Sequence, residues 1–242
     1  MFIIQYWDSE QLPAEVAQAV QTFRERNPEC RHLLFDQKTA EAFIEEHFTL
    51  REVSAFRACA VPSIQSDYLR YCALLVLDGV YADVDMHCVA DLAPLVARVE
   101  RAEFYRRPSR LIVTTNFFIV RTPRLTLLHF ALEVATANIE QRSFDIAWLG
   151  TGPGIISTLC GLYECRSLEA YCQTLSGRRW PESELKKLAE IVAAHAGDRI
   201  STLLAGVQVS PIESRHDFVV GKSMAYQKQK RHWKNWAGSA YR

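Results

Sequence analysis

Apolar and polar positions along this chain follow two periods that take turns. Phe2 to Tyr6 is short, β-branched and aromatic, and predicts a first strand. Pro13 then opens a helix whose stripe of Val16, Val20 and Phe23 runs until Asn27-Pro28 stops it. Arg31 to Phe35 predicts a second strand. Two helices follow, Thr39 to Phe48 with Ala40, Phe43 and Ile44 inward, and about Arg51 to Cys59. Pro62 starts a longer apolar helix that ends at Gly79, read as a left-handed stop. Val80 to Asp83 is a strand, and Asp91 to Val96 a short helix. Ala102 to Tyr105, Leu111 to Thr114 and Phe117 to Val120 read as three strands, and Pro123 opens a helix to about Glu140. Gly150 to Gly154 is a loop into the helix Ile155 to Leu162. Pro181 to His195 is periodic, with Leu185, Leu188, Ile191 and Val192 inward, and Val207 to Val209 and Phe218 to Val220 close the series as strands.

Strands that alternate with helices define an α/β class. No repeat, low-complexity stretch or Gly/Ser-rich linker divides the chain, so 1–242 reads as one domain. Its last part, 222–242, forms a basic aromatic arm with Lys222, Lys228, Lys230, Arg231, Lys234, Trp233 and Trp236.

Composition narrows the partners. A chain of 242 residues with 49% apolar content buries a core without staples. Formal net charge is zero, which gives no reason to expect nucleic acid. The seven cysteines are odd in number and contain no CxxC pair, which favours a reducing, cytoplasmic setting over a disulfide framework. No window approaches the ~20 apolar residues of a membrane span, and the start, Met-Phe-Ile-Ile-Gln, has no basic signal region.

The chemistry concentrates between Gln65 and Asp85. Asp67 and Arg70 sit one helical turn apart and share a face. Arg offers a planar fork suited to phosphate or carboxylate; the alternative is an internal salt bridge of a few tenths of a kcal/mol. Asp83 and Asp85 lie two apart at a strand end, where their side chains share a face. Oxygen ligands of this kind suit Mg²⁺ or Mn²⁺, and exposed turn carboxylates are the alternative. An Asp-x-Asp after an apolar strand also fits a phosphatase of the haloacid dehalogenase type. That chemistry needs a Thr or Val two residues on and a later acidic pair, whereas Met86-His87 follow here and no Asp-Asp dipeptide occurs.

The pattern Ser66-Asp67-x-x-Arg70, Leu74, Leu77, Gly79-Val80-Tyr81-x-Asp83-x-Asp85 resembles the sugar-binding region of glycosyltransferase family 32 and the glucosylating domains of clostridial toxins. Ile3 to Trp7, Asn27-Pro28, Leu33 to Asp36, Asn116 to Ile119, Gly152-Pro153 and Trp236 to Ser239 fall where that family has further motifs. A single glycine precedes Val80 where the family carries two, and Lys234-Asn235 stand in place of two histidines. The resemblance implies a GT-A-type fold with a mixed central sheet. It implies a metal-dependent retaining transferase that moves a hexose from a UDP- or GDP-sugar to a glycan, lipid-linked or protein acceptor. Asp67, Arg70, Asp83 and Asp85 would carry catalysis, and Trp7, Tyr81 and Ser239 would join them in holding the donor. Asp83, Asp85, Asn235 and Ser239 would hold Mn²⁺ or Mg²⁺, and Asn116, Gly152 and Pro153 would face the acceptor. Its altered closing motif leaves open a protein that binds nucleotide sugars without turnover, and the basic arm leaves open contact with the inner membrane face.

Overall fold

The computed structural model describes residues 1–107, 112–174, 180–221, 224 and 239–242. In chain order the elements are β1 (Phe2–Tyr6), α1 (Ala14–Arg26), β2 (Arg31–Phe35), α2 (Gln37–His47), α3 (Leu50–Ala58), α4 (Pro62–Val76), β3 (Gly79–Ala82) and β4 (Met86–Cys88). They continue with α5 (Ala93–Ala97), β5 (Ala102–Arg106), β6 (Val113–Val120), α6 (Thr126–Glu140), α7 (Ala147–Gly150), α8 (Pro153–Cys165) and α9 (Leu168–Thr174). The last are α10 (Glu182–Ala196), α11 (Ile200–Leu203), β7 (Val207–Pro211) and β8 (Val219–Gly221).

The expected α/β class holds. A mixed six-stranded sheet in the order β2-β1-β3-β6-β5-β7 is flanked by helices, and β4 pairs with β8 in a separate two-stranded sheet. β2, β1 and β3 run parallel, β6 lies antiparallel to β3 and β5, and β7 is parallel to β5. Strand alternation divides the core. Ile4, Tyr6, Tyr81, Phe104 and Phe118 pack in the larger cluster with α4, α6 and α8. Ile3, Val80, Ala82, Tyr105, Phe117 and Ile119 pack on the other face.

α4 is the central helix. It is buried almost all round, from Ile64 to Leu75, as a helix between a sheet and other helices must be. α2 and α3 each begin in a capping box, Asp36 with Thr39 and Thr49 with Glu52. All seven cysteines are free thiols. Among the described residues no helix is long and apolar enough to cross a membrane.

Three expectations change. Gly79 does not cap α4, which ends at Leu77 in extended conformation. It opens β3, and a Cβ there would stand 2.1 Å from the Phe2 carbonyl oxygen, so glycine is needed for β1 and β3 to meet. The expected separate strands after Leu111 are one strand, β6, with 108–111 outside the described residues. Met86-His87, expected to carry the turn after Asp85, is strand; the late strand expected at Phe218 to Val220 is present as β8 and pairs with β4.

Candidate active site

Arg70 is the hub of the site. It lies on α4, 4% exposed, and all of its N–H groups are committed within the protein. Nη1 donates to Thr115 O at 2.8 Å and Thr115 Oγ1 at 2.7 Å, and pairs with Asp67 Oδ1 at 3.0 Å. Nη2 donates to Ser66 Oγ at 2.8 Å and Asp83 Oδ1 at 3.1 Å, and Nε to Ser66 O at 3.3 Å. The guanidinium also lies 4.4 Å from the centre of the Tyr81 ring. The i, i+3 pair foreseen on α4 therefore exists, but it is buried and extended to β3 and β6. This makes Arg70 a brace for two carboxylates rather than an open phosphate fork.

Asp67 is 6% exposed. Its Oδ1 meets Arg70, and its Oδ2 accepts from Thr151 Oγ1 at 3.4 Å. Burial pushes this carboxyl up, to about 7, against the attraction of Arg70. Gly152 is the N-cap of α8, and a Cβ on it would come within 2.9 Å of Asp67 Oδ2. The Gly152-Pro153 corner, placed by resemblance on the acceptor side, thus abuts Asp67.

Tyr81 follows the alternation of β3 and points to the α4 face, fully buried. Its hydroxyl shares a 2.7 Å bond with Ser66 Oγ and donates to Asp83 Oδ1 at 3.1 Å. It orients Asp83 from below. β3 ends at Ala82, and the chain turns at once, with the Met86 N–H donating to Asp83 O at 3.0 Å. Asp83 and Asp85 are therefore both partly exposed residues of a turn, and the shared strand face expected for them does not form. Asp83 remains on the Arg70 side, where burial raises its carboxyl and Arg70 opposes the rise. Among the described residues, both hydrogen bonds to the Asp83 carboxylate use Oδ1, and Oδ2 is the oxygen offered to a ligand.

The turn is clamped by Asn116 of β6. The Asn116 carbonyl accepts from the Asp83 N–H at 2.7 Å, and its side-chain Nδ2 lies 3.7 Å from Met86 Sδ. Trp7 follows β1 at the same carboxyl edge of the parallel strands. It donates from Nε1 to Gln11 O at 3.1 Å and packs on a cluster that includes Val84. Carboxyl edges of parallel strands are where open α/β sheets bind ligands. Ser239 is exposed, and its hydroxyl accepts from the Tyr241 N–H at 3.2 Å. That terminal segment docks on the α3–α4 junction through the Cys59–Tyr241 bridge. Asn235 and most of the basic arm lie outside the described residues.

Arg215 has no warning in the sequence. It stands alone in the polar stretch Ile212 to His216, and only tertiary packing carries it to β6, 3% exposed. Thr115 and Thr151 were equally silent, because a threonine in a strand or before a helix is ordinary.

A divalent ion is compatible with this donor set. Asp83 and Asp85 supply carboxylate oxygens on one turn, with no competing sulfur or imidazole pair, and no group of three His, Cys, Asp or Glu gathers among the described residues. Two carboxylates completed by phosphate oxygens and water are an ordinary Mg²⁺-type environment.

An α/β sheet whose carboxyl edge carries a braced Asp-x-Asp turn suits a sugar-transferring enzyme, and the sequence agrees. Residues 13–102 match the family described as "Glycosyltransferase sugar-binding region containing DXD motif". The matched stretch runs from just before α1 to the first residue of β5 and contains Asp67, Arg70, Asp83 and Asp85, so the resemblance read from Ser66 to Asp85 is borne out there. Over those residues the chain is similar to a glycosyltransferase sugar-binding region. It is also similar to a solved structure titled "PaToxG Glycosyltransferase", at 14% identity over 97% of this chain and 85% of that one, with a TM-score of 0.48. No curated protein matches the chain.

Proposed function

We propose that the protein transfers a hexose from a UDP- or GDP-sugar to a glycan, lipid-linked or protein acceptor, with retention of anomeric configuration and with Mn²⁺ or Mg²⁺. The observation that carries the reading is the Asp83–Met86 turn at the carboxyl edge of β1 and β3, beside Trp7 and joined through Arg70 to Asp67. Trp7 stacks on the nucleotide base. Asp85 and the second oxygen of Asp83 hold the ion, and Asp67 faces the sugar hydroxyls across the Gly152 corner. Arg70 and Tyr81 act one step back by fixing both carboxylates. Held by Asp83 and Asp85, such an ion would supply positive charge to stabilise the leaving diphosphate. The chain's own contribution is a set of pre-oriented charges braced by Arg70, which need little reorganisation as charge develops on the leaving group. No side chain is assigned as general base; the leaving diphosphate takes the acceptor proton on the same face.

The test is release of UDP or GDP from a panel of nucleotide sugars with and without Mn²⁺. At least one donor should be hydrolysed slowly in the absence of acceptor, and only with the metal. Asp85→Ala should lower that rate by about 100-fold or more, a metal-ligand loss of roughly 2.7 kcal/mol or above, while the protein stays folded. Equal rates with and without metal, or in the Asp85→Ala variant, would remove the metal from the account.

A further inference from the structure

Arg215 is a buried cation in an unusual position. It ends a 3₁₀ turn (Ile212–Arg215) after β7 and is 3% exposed. Its guanidinium lies 5.4 Å from each of the ring centres of Tyr105 and Phe117. Nη2 donates to Asn116 Oδ1 at 3.3 Å and Nη1 to Phe117 O at 3.4 Å, while Nε has no hydrogen-bond partner among the described residues. No carboxylate lies within ion-pair distance of it among the described residues. An arginine keeps its proton when buried, and buried charges are otherwise paired. Burial lowers its basicity, and the charges that offset this include Asp83 and Asp85.

The segment that carries Arg215 embraces the motif turn from two sides. Asn116, which accepts from Arg215, is also the residue whose carbonyl holds the Asp83 N–H. Beyond Arg215 the chain forms β8, which pairs with β4 immediately after the turn, Met86 opposite Gly221. Phe218 connects them, accepting from the Val89 N–H at 2.8 Å and donating to Arg215 O at 2.9 Å.

We propose that Arg215 is a positioning residue of the transfer site: through Asn116 it holds the Asp83–Met86 turn in place, and its fixed positive charge behind that turn favours an ion that arrives with a diphosphate over an ion alone. This inference rests on the proposed transferase reading. The electrostatic part has a definite sign. A cation close to two carboxylates weakens their attraction for a second cation and strengthens the attraction for an anion. Among the described residues, Arg70 and Arg215 oppose Asp67, Asp83 and Asp85 and temper the acidity that an entering diphosphate meets.

The test compares Arg215→Gln and Arg215→Lys with the native protein by Mn²⁺ electron paramagnetic resonance, first with Mn²⁺ alone and then with Mn²⁺ and UDP or GDP. Arg215→Gln should bind Mn²⁺ alone at least as tightly as the native protein. It should bind the Mn²⁺–nucleotide pair more weakly, by about 10-fold or more, as expected when a nearby opposite charge is taken from a bound anion. Arg215→Lys keeps the charge and loses the fork; it should regain most of the nucleotide affinity while kcat of donor hydrolysis stays below the native value. A merely structural arginine would weaken both titrations together, and that result, or two unchanged titrations, overturns the proposal. If Arg215→Gln does not fold, Arg215→Lys decides, and a native kcat in that variant overturns it. Failure of the native protein to bind either nucleotide with Mn²⁺ is a different outcome: it defeats the transferase reading itself, and the role of Arg215 with it.

Discussion

Asp67 combines two demands that conflict. A carboxylate proposed to face a sugar should be ionised, yet this one is 6% exposed and pushed up to about 7. A carboxyl whose folded pKa exceeds its unfolded value near 3.8 binds more protons in the folded state between those two values. Its contribution to stability is therefore fully present below pH 3.8 and is lost as pH rises through about 7. Asp67→Asn, which removes the ionisation, should gain stability relative to the native protein between pH 5 and pH 8, by an amount on the order of a few kcal/mol. Melting temperatures of both proteins at the two pH values measure this; a difference that does not move with pH contradicts the burial argument. The Asp67–Arg70 pair was legible in the sequence because helical spacing fixes which side chains share a face. Its partners were not. Thr115, Thr151 and Arg215 come from elements distant in sequence, and no local period announces them. The open phosphate fork expected of Arg70 depended on knowing what fills its donors, and Thr115, Ser66 and Asp83 fill them.

Among the elements, β1 and β2 match their predicted bounds, and α4 starts at Pro62 as the helix-opening role of proline suggests. What the local pattern could not supply was the reason for Gly79. A glycine after an apolar helix reads as a stop, whereas here it serves the approach of two strands. Gly79→Ala forces a methyl group into the Phe2 carbonyl, a backbone atom that cannot swing away, and should cost about 3 kcal/mol or more. Urea denaturation would show it as a lower midpoint or as failure to fold; an unchanged midpoint would mean that β1 and β3 are not held this closely. β4 escaped notice because Met86 to Cys88 is short and gains its pairing from β8, remote in sequence. Thr115 and Asn116, left between two expected strands, continue β6, and their side chains bond Arg70 and Arg215.

Across the whole molecule, the parallel trio β2-β1-β3 and the helix α4 bring one edge of the sheet, one helix face and the α8 corner to a common place. Trp7, Asp67, Asp83, Asp85 and Gly152 belong to that place, while Ser239 stands on a segment anchored at the α3–α4 junction. The neutral net charge and ordinary composition say nothing of this, since whole-chain totals do not show where charges gather. The central claim is that this edge binds a nucleotide sugar through a divalent ion. It is tested most directly by titration calorimetry of UDP-hexose and GDP-hexose into the native protein and the Asp85→Ala variant, each with Mn²⁺ and with the metal chelated. The account predicts saturable binding of one donor by the native protein with Mn²⁺, and a loss of about 10-fold or more in affinity, roughly 1.4 kcal/mol, on chelation or in Asp85→Ala. Donor binding that is indifferent to both the metal and Asp85, or no binding of either donor by folded protein, would contradict it.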